Sequence, residues 1–259
     1  MKLVRMAAAA AIAGIVLIAN SATAQVSKEG MGKVLPVEIY ACKFNEGKGM
    51  ADLEAVISRW NQFMDDKKIN TYAAWTLTPY YFTEEQDFDV IWLGAYKDGN
   101  AFGSGTDTWL ASGGELAAAY NEVVTCAGHI GLSSAMYKAP AANVTPASGI
   151  ITMMDCKLNK GHRYSDIKAA EIKWAKYLTD SGSRAGYWHW FPTFGGGDAD
   201  FDYKVVFSYE NFTQLGADYE RIANGGGREM SQDVFDDIDD CDDARVYVAT
   251  SRRATKLRD

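Results

Sequence analysis

Several residue types are scarce in this chain, and each scarcity removes a class of function. Its 259 residues include five prolines, four cysteines and three histidines. The histidines are scattered and no Cys-x-x-Cys occurs, so no zinc-type centre is expected, and with it no metal. No glycine run follows a strand and opens into a Lys-Ser/Thr or G-x-x-G pattern, which removes phosphate loops and dinucleotide fingerprints. No G-x-S-x-G elbow is present. These absences leave no cofactor to expect. Basic residues are outnumbered, 26 against 34 acidic. That balance disfavours nucleic acid and anionic membrane surfaces as partners.

Long apolar runs are also missing, except at the start. Lys2 and Arg5 precede an apolar, Ala-rich stretch from Met6 to Ile18, and Ala22-Thr23-Ala24 forms a small-x-small cleavage site. Residues 1–24 therefore read as a signal peptide, with the mature chain starting at Gln25. No later stretch approaches the ~20 apolar residues needed to span a bilayer, so no membrane contact is expected after cleavage. Lys2 and Arg5 leave with the leader, so 34 acidic residues then face 24 of the 26 basic ones and the formal charge moves from −8 to −10. The expected location is periplasmic or secreted.

What the chain does have is a repeat. Cys42-Lys-Phe-Asn-Glu-Gly returns as Cys156-Lys-Leu-Asn-Lys-Gly, and at that fixed offset Lys43/Lys157, Asn45/Asn159, Gly47/Gly161, Asp52/Asp166, Ala55/Ala169 and Trp60/Trp174 also match. Each copy closes on a second cysteine, Cys126 or Cys241, after nearly the same interval. In an oxidising compartment this pattern predicts two structural disulfides, Cys42 with Cys126 and Cys156 with Cys241. The expected organisation is repeat one over 36–138, a Pro/Ala/Ser linker over 139–149, and repeat two over 150–251. The basic residues from Arg252 onward read as a disordered tail.

Within each copy the periodicities read strand, helix, strand, strand, helix, strand. Val37–Phe44 and Ile151–Leu158 alternate, while Leu53, Val56, Ile57, Trp60 and Ile167, Ala170, Trp174 mark helical faces. That order is the ferredoxin-like βαββαβ unit. In it the first and last strands are antiparallel neighbours, which brings the cysteines of each copy together. Both faces of the strands are apolar, so each sheet needs a second cover besides its own helices. The fold class is accordingly α+β, two tandem ferredoxin-like units packed sheet to sheet as one intramolecular α+β barrel. The arrangement resembles the dimeric α+β barrel superfamily, which includes antibiotic-biosynthesis-type and haem-degrading monooxygenases, chlorite-dismutase-like proteins and stress-responsive barrel proteins. The Cys-Lys-x-Asn-x-Gly openings, Tyr72-Ala-Ala-Trp75 and Trp109-Leu-Ala-Ser-Gly-Gly-Glu115 also resemble a group of exported marine-bacterial proteins. Neither resemblance carries catalytic residues onto this chain.

The candidate site is the aromatic second strand. Tyr187-Trp188-His189-Trp190-Phe191 fills it in copy two, and Tyr72-Ala-Ala-Trp75 in copy one. Tyr72, Trp75, Tyr187, Trp188, His189 and Trp190 are the candidate ligand-binding residues, suited to a small apolar or aromatic molecule. A bulky core is the competing reading of the same residues. His189 breaks the repeat, with Ala74 at its place if Trp75 matches Trp190, and is the candidate base. His129 and His162 read as surface residues. Asp198, Asp200 and Asp202 read as hairpin-turn residues rather than a calcium loop. Three functions stay open: a small-molecule-binding protein, a cofactor-independent monooxygenase or isomerase using the same cavity, and a structural or interaction module. Oligomeric state stays open too.

Overall fold

The computed structural model describes residues 32–83, 86–141, 148–197, 200–235, 237–255 and 257. The expected signal peptide and its cleavage site lie outside these residues, as do 142–147 of the expected linker and Asp198 of the acidic turn.

Copy one runs β1 (Leu35–Phe44), α1 (Met50–Asp66), β2 (Tyr72–Tyr81), β3 (Val90–Tyr96), α2 (Gly99–Ser112), α3 (Gly114–Val123) and β4 (Val124–Lys138). Copy two runs β5 (Ser148–Leu158), α4 (Tyr164–Asp180), β6 (Gly186–Phe194), β7 (Tyr203–Tyr209), α5 (Phe212–Ala223), α6 (Gly227–Phe235), β8 (Asp239–Cys241) and β9 (Arg245–Arg253). The repeated residues are those that turn the first strand into the first helix. Gly47 and Gly161 sit at φ 71° and 98°, which a side chain tolerates poorly. Asp52 and Asp166 accept the backbone N–H groups of Gly49 and Arg163 at 3.0 and 2.8 Å, closing each helix start. Trp60 and Trp174 then lie buried against their own sheets.

Each copy forms a four-stranded sheet in ferredoxin-like order, β4-β1-β3-β2 and β9-β5-β7-β6. The two sheets then hydrogen-bond to each other at both edges, β4 to β6 and β2 to β9. Eight antiparallel strands close into one barrel, each of the eight pairing with a neighbour on both sides. Val37, Ile39, Ile91, Leu93, Met153, Val206 and Tyr247 point inward and form an interior core drawn from both copies. The outer faces pack against the helices as two further cores. Among the described residues, no helix is long and apolar enough to cross a membrane.

Cys42 faces Cys126 directly across the β1–β4 ladder, and Cys156 faces Cys241 across β5–β8. Both pairs are bonded, at S–S 2.05 and 2.00 Å. Loops of this length stabilise by roughly 4 kcal/mol on the chain-entropy argument. The copies reach this pairing differently. In copy one β4 stays continuous and absorbs an irregularity at Ala41/Cys42. In copy two the strand breaks into β8 and β9, and Asp242 fills the break by accepting the Asp155 N–H at 2.6 Å.

The start of the basic tail departs from its expected disorder. Arg252 and Arg253 end β9 and reach across to copy one. Arg252 donates to Thr76 and Glu54, and Arg253 to Asp65 and the Ile69 carbonyl. The reciprocal contact is made by the end of β4, where Lys138 donates to the Ser183 and Ala185 carbonyls of copy two at 2.8 and 2.7 Å. A charged terminal run becomes ordered here because fixed acceptors on α1 and its following turn await it.

Candidate functional site

Opposite apolar faces of the two sheets enclose a cavity of about 560 Å³ inside one end of the barrel. Leu35, Ala95, Ile150 and Ser208 lie near the strand ends at its mouth, where Pro140, Gly149 and the segment Ala254, Thr255 and Leu257 also border it. Its walls carry Trp75, Trp188 and Trp190. Among the described lining residues there is no acid, amine, guanidinium or imidazole, and the polar contribution is serine, threonine and tyrosine hydroxyls. Trp190 is 5% exposed, and its indole N–H has no hydrogen-bond partner among the described residues.

The six sequence candidates divide between two faces. Strand alternation turns Trp75, Trp188 and Trp190 into the barrel, and turns Tyr72, Tyr187 and His189 outward beneath the helices. His189 therefore lies behind the cavity wall. The strand ladders also correct its counterpart. Cys42 faces Val90 and Cys156 faces Tyr203. Two residues further along, Trp92 faces Thr76 and Val205 faces His189. Thr76, and not Ala74, occupies the place of His189, and Trp75 matches Trp188 rather than Trp190. Two tryptophans two residues apart made the sequence alignment ambiguous, and the ladders resolve it.

His189 is fully buried in a polar cluster. Its Nε2 lies 2.8 Å from Glu171 Oε1 and 3.0 Å from the Tyr187 hydroxyl. Tyr137 and Tyr203 pack on the imidazole at 4.8 and 4.6 Å between ring centres. Tyr137 and Tyr164 share a 2.5 Å hydroxyl–hydroxyl bond, and Tyr203 donates to Asp239. Burial, reinforced by the Glu171 charge, pushes the Tyr187 hydroxyl well above its ordinary value of 10. Burial likewise holds Asp239 above the ordinary carboxylate value. Glu171 was the missed partner. Its signal was a lone carboxylate on the apolar stripe of α4, among Ile167, Ala170 and Trp174.

Copy one carries a second polar cluster that the sequence reading also missed. Glu38, on the outward face of β1, accepts from Tyr72 at 2.7 Å and Tyr96 at 3.3 Å, and its other oxygen lies 3.0 Å from His129 Nε2. His129 is half exposed and stacks on Tyr40 at 3.8 Å, so it is tethered to a buried carboxylate rather than free on the surface. Burial and Glu38 raise the Tyr40, Tyr72 and Tyr96 hydroxyls, which keeps them as donors.

The superfamily resemblance raises haem as a group to test against these residues, and they do not fit it. An axial histidine needs a free ring nitrogen facing an open pocket. His189 is packed on all sides and lies on the opposite face of β6 from the cavity. Neither His129 nor His162 is among the described residues that line the cavity. Among the described residues no three metal-ligating side chains cluster.

No family model matches the chain, and no curated protein matches it. Solved structures do. A candidate chlorite dismutase superposes with a TM-score of 0.51 at 10% identity, covering 85% of this chain and 95% of that one. A variant chlorite dismutase from Candidatus Nitrospira defluvii gives 0.51 at 8% identity, covering 87% and 93%. A candidate monooxygenase from Lactobacillus acidophilus NCFM gives 0.52 at 9% identity, covering 87% and 97%. At these identities the likeness is one of fold: a ferredoxin-like α+β barrel.

Proposed function

We propose that this is an exported protein, periplasmic or secreted, that holds a small apolar or aromatic molecule inside its barrel. We also place it, on its Cys-Lys-x-Asn-x-Gly openings, with the exported marine-bacterial group. The observation that carries the binding reading is the cavity. Its volume of about 560 Å³ suits a small organic molecule, and both copies contribute its walls. Three tryptophans face it, two of them, Trp75 and Trp188, at related positions of the repeat. The two disulfides support an oxidising compartment. The enzymatic alternative, a monooxygenase or isomerase, calls for an acid or base at the ligand; in the described lining the one side chain of that kind is Tyr209, and burial pushes its hydroxyl well above its ordinary value, away from proton transfer near neutral pH. Binding without turnover is therefore the preferred reading.

Native mass spectrometry of protein purified from its source tests the proposal by showing whether a small molecule is retained. In parallel, the neutral probe N-phenyl-naphthylamine should bind the mature protein with a fluorescence increase. Trp75→Ala and Trp188→Ala should each weaken it about tenfold, the scale of one lost aromatic contact. Unchanged probe affinity in both variants, with far-ultraviolet circular dichroism preserved, would remove the cavity as the site.

A further inference from the structure

We infer that Gly186 sets the size of ligand the cavity admits, by giving the Trp188 indole a place to lie back along its own strand; the inference rests on the binding reading above. Glycine weakens a strand, and inside one it often marks the close approach of another group. Gly186 opens β6, two residues before Trp188 and on the same inward face. A Cβ built on Gly186 would stand 2.1 Å from Cη2 and 2.6 Å from Cζ3 of Trp188, and 3.0 Å from Ser208 Oγ. The outer ring of the indole therefore fills the place that a side chain at 186 would need. Because Gly186 begins the strand, the ring is folded back toward the mouth of the cavity.

Copy one has a side chain at this place. Ala73 pairs with Ala95, which faces Val37, just as Gly186 pairs with Ser208, which faces Ile151. Trp75, the counterpart of Trp188, thus meets a methyl group where Trp188 meets bare backbone, and it cannot lie back in the same way. The repeat supplies two related tryptophans and one glycine to receive an indole. A side chain at 186 would have to displace the Trp188 ring. Val206 and Met136 fill the wall on either side of it, and Trp190 lies further along β6. Protein interiors are close packed, so the space left to a displaced ring is the cavity. There it would take room otherwise open to the ligand. Gly186 is a positioning residue that acts through Trp188, and what it governs is how large an aromatic molecule fits.

Two fluorescent probes that differ by one ring test this in the mature, disulfide-bonded protein: naphthylamine and N-phenyl-naphthylamine. Both should bind the unsubstituted protein. Gly186→Ala should weaken the phenyl-bearing probe about tenfold, the scale of one lost aromatic contact, and leave naphthylamine within about twofold. Trp188→Phe removes the ring that carries Cη2 and Cζ3. In that background, adding Gly186→Ala should change neither affinity, which separates a role through the indole from a general loss of packing. Should Gly186→Ala fail to fold, Ala73→Gly is the second variant. It gives Trp75 the same place to lie and should strengthen the larger probe relative to the smaller. Several results would overturn the inference and leave the cavity reading standing. They are an equal effect of Gly186→Ala on both probes, no effect on either, the same selective loss in the Trp188→Phe background, or an unchanged ratio in Ala73→Gly. Binding of the smaller probe alone by the unsubstituted protein would overturn it too, because the folded-back ring should leave room for both. Failure of both probes to bind would instead overturn the cavity reading itself.

Discussion

Beneath α4, copy two buries Tyr137, His189 and Glu171 around a hydrogen-bonded core. At the related places in copy one stand Arg252, Thr76 and Ile57, and Arg252 donates to Thr76 at 2.8 Å and to Glu54 at 2.9 Å. Tyr164, which bonds Tyr137, likewise corresponds to Met50, which takes a longer contact from Arg252. In both halves the last strand of one copy supplies the residue that reaches the first helix of the other. The architecture of the clasp is shared, and its chemistry is not. Copy two uses neutral hydroxyls and one fully buried carboxylate–imidazole pair, whereas copy one uses an arginine whose partner Glu54 is half exposed. A duplicated fold thus constrains which elements meet more strictly than which side chains meet there.

The largest effect should come from separating the copies. Each half alone would lose both inter-copy ladders, β4–β6 and β2–β9, and expose its share of the interior core. Expressed as 25–140 or 146–259, neither half should fold as a cooperative monomer. Sedimentation velocity should show dimers or aggregates, and a soluble two-state monomer from either half would contradict the single-barrel account.

A smaller effect separates the two clasps. Glu171→Ala strands the buried His189 and should cost about 3–5 kcal/mol in urea denaturation. Replacing the pair together by the copy-one residues, Glu171→Ile with His189→Thr, should recover much of that loss, because both desolvated groups leave at once. If the double variant is as unstable as the single, the pair itself is net stabilising and the copies are less interchangeable than their geometry implies.

The strand break unique to copy two gives a pH test. Burial pushes Asp155 upward, but Lys204 and Arg245 beside it pull further down, so it lies below its ordinary value of 3.8. A depressed carboxylate contributes stability that is present above its unfolded value and lost as pH falls through the folded one. Asp155→Asn should cost about 1.5–3 kcal/mol near pH 7, the range for a charge-assisted hydrogen bond, with the gap from the parent narrowing below about pH 4. A gap that persists unchanged at low pH would assign the loss to packing instead. Arg252→Ala should have the smallest effect, about 1 kcal/mol or less, since its acidic partner is solvent-exposed.

Much of this molecule was legible in the chain. The matched cysteines and alternating strands announced two βαββαβ units, because chemistry at fixed spacing and a period of two are local properties. The period of two along β6 also puts Tyr187 and His189 on one face and Trp188 and Trp190 on the other, as the structure has them. It could not say which set faces inward, since a strand apolar on both sides carries no mark of which layer covers which face. Glu38 and Glu171 were visible as carboxylates at apolar positions. Their partners His129 and His189 lie 91 and 18 residues away, beyond any local pattern.

By itself, then, the sequence determined the repeat, the pairing of its cysteines and the two-faced character of its strands. Only the tertiary structure decided that β4 joins β6 and β2 joins β9. Those ladders are made of backbone N–H and C=O groups, which every residue but proline carries alike. The registers of β2 on β3 and of β6 on β7 make Thr76 the counterpart of His189, and closure of the barrel puts that histidine behind the wall and leaves three tryptophans facing a cavity that neither copy could enclose alone.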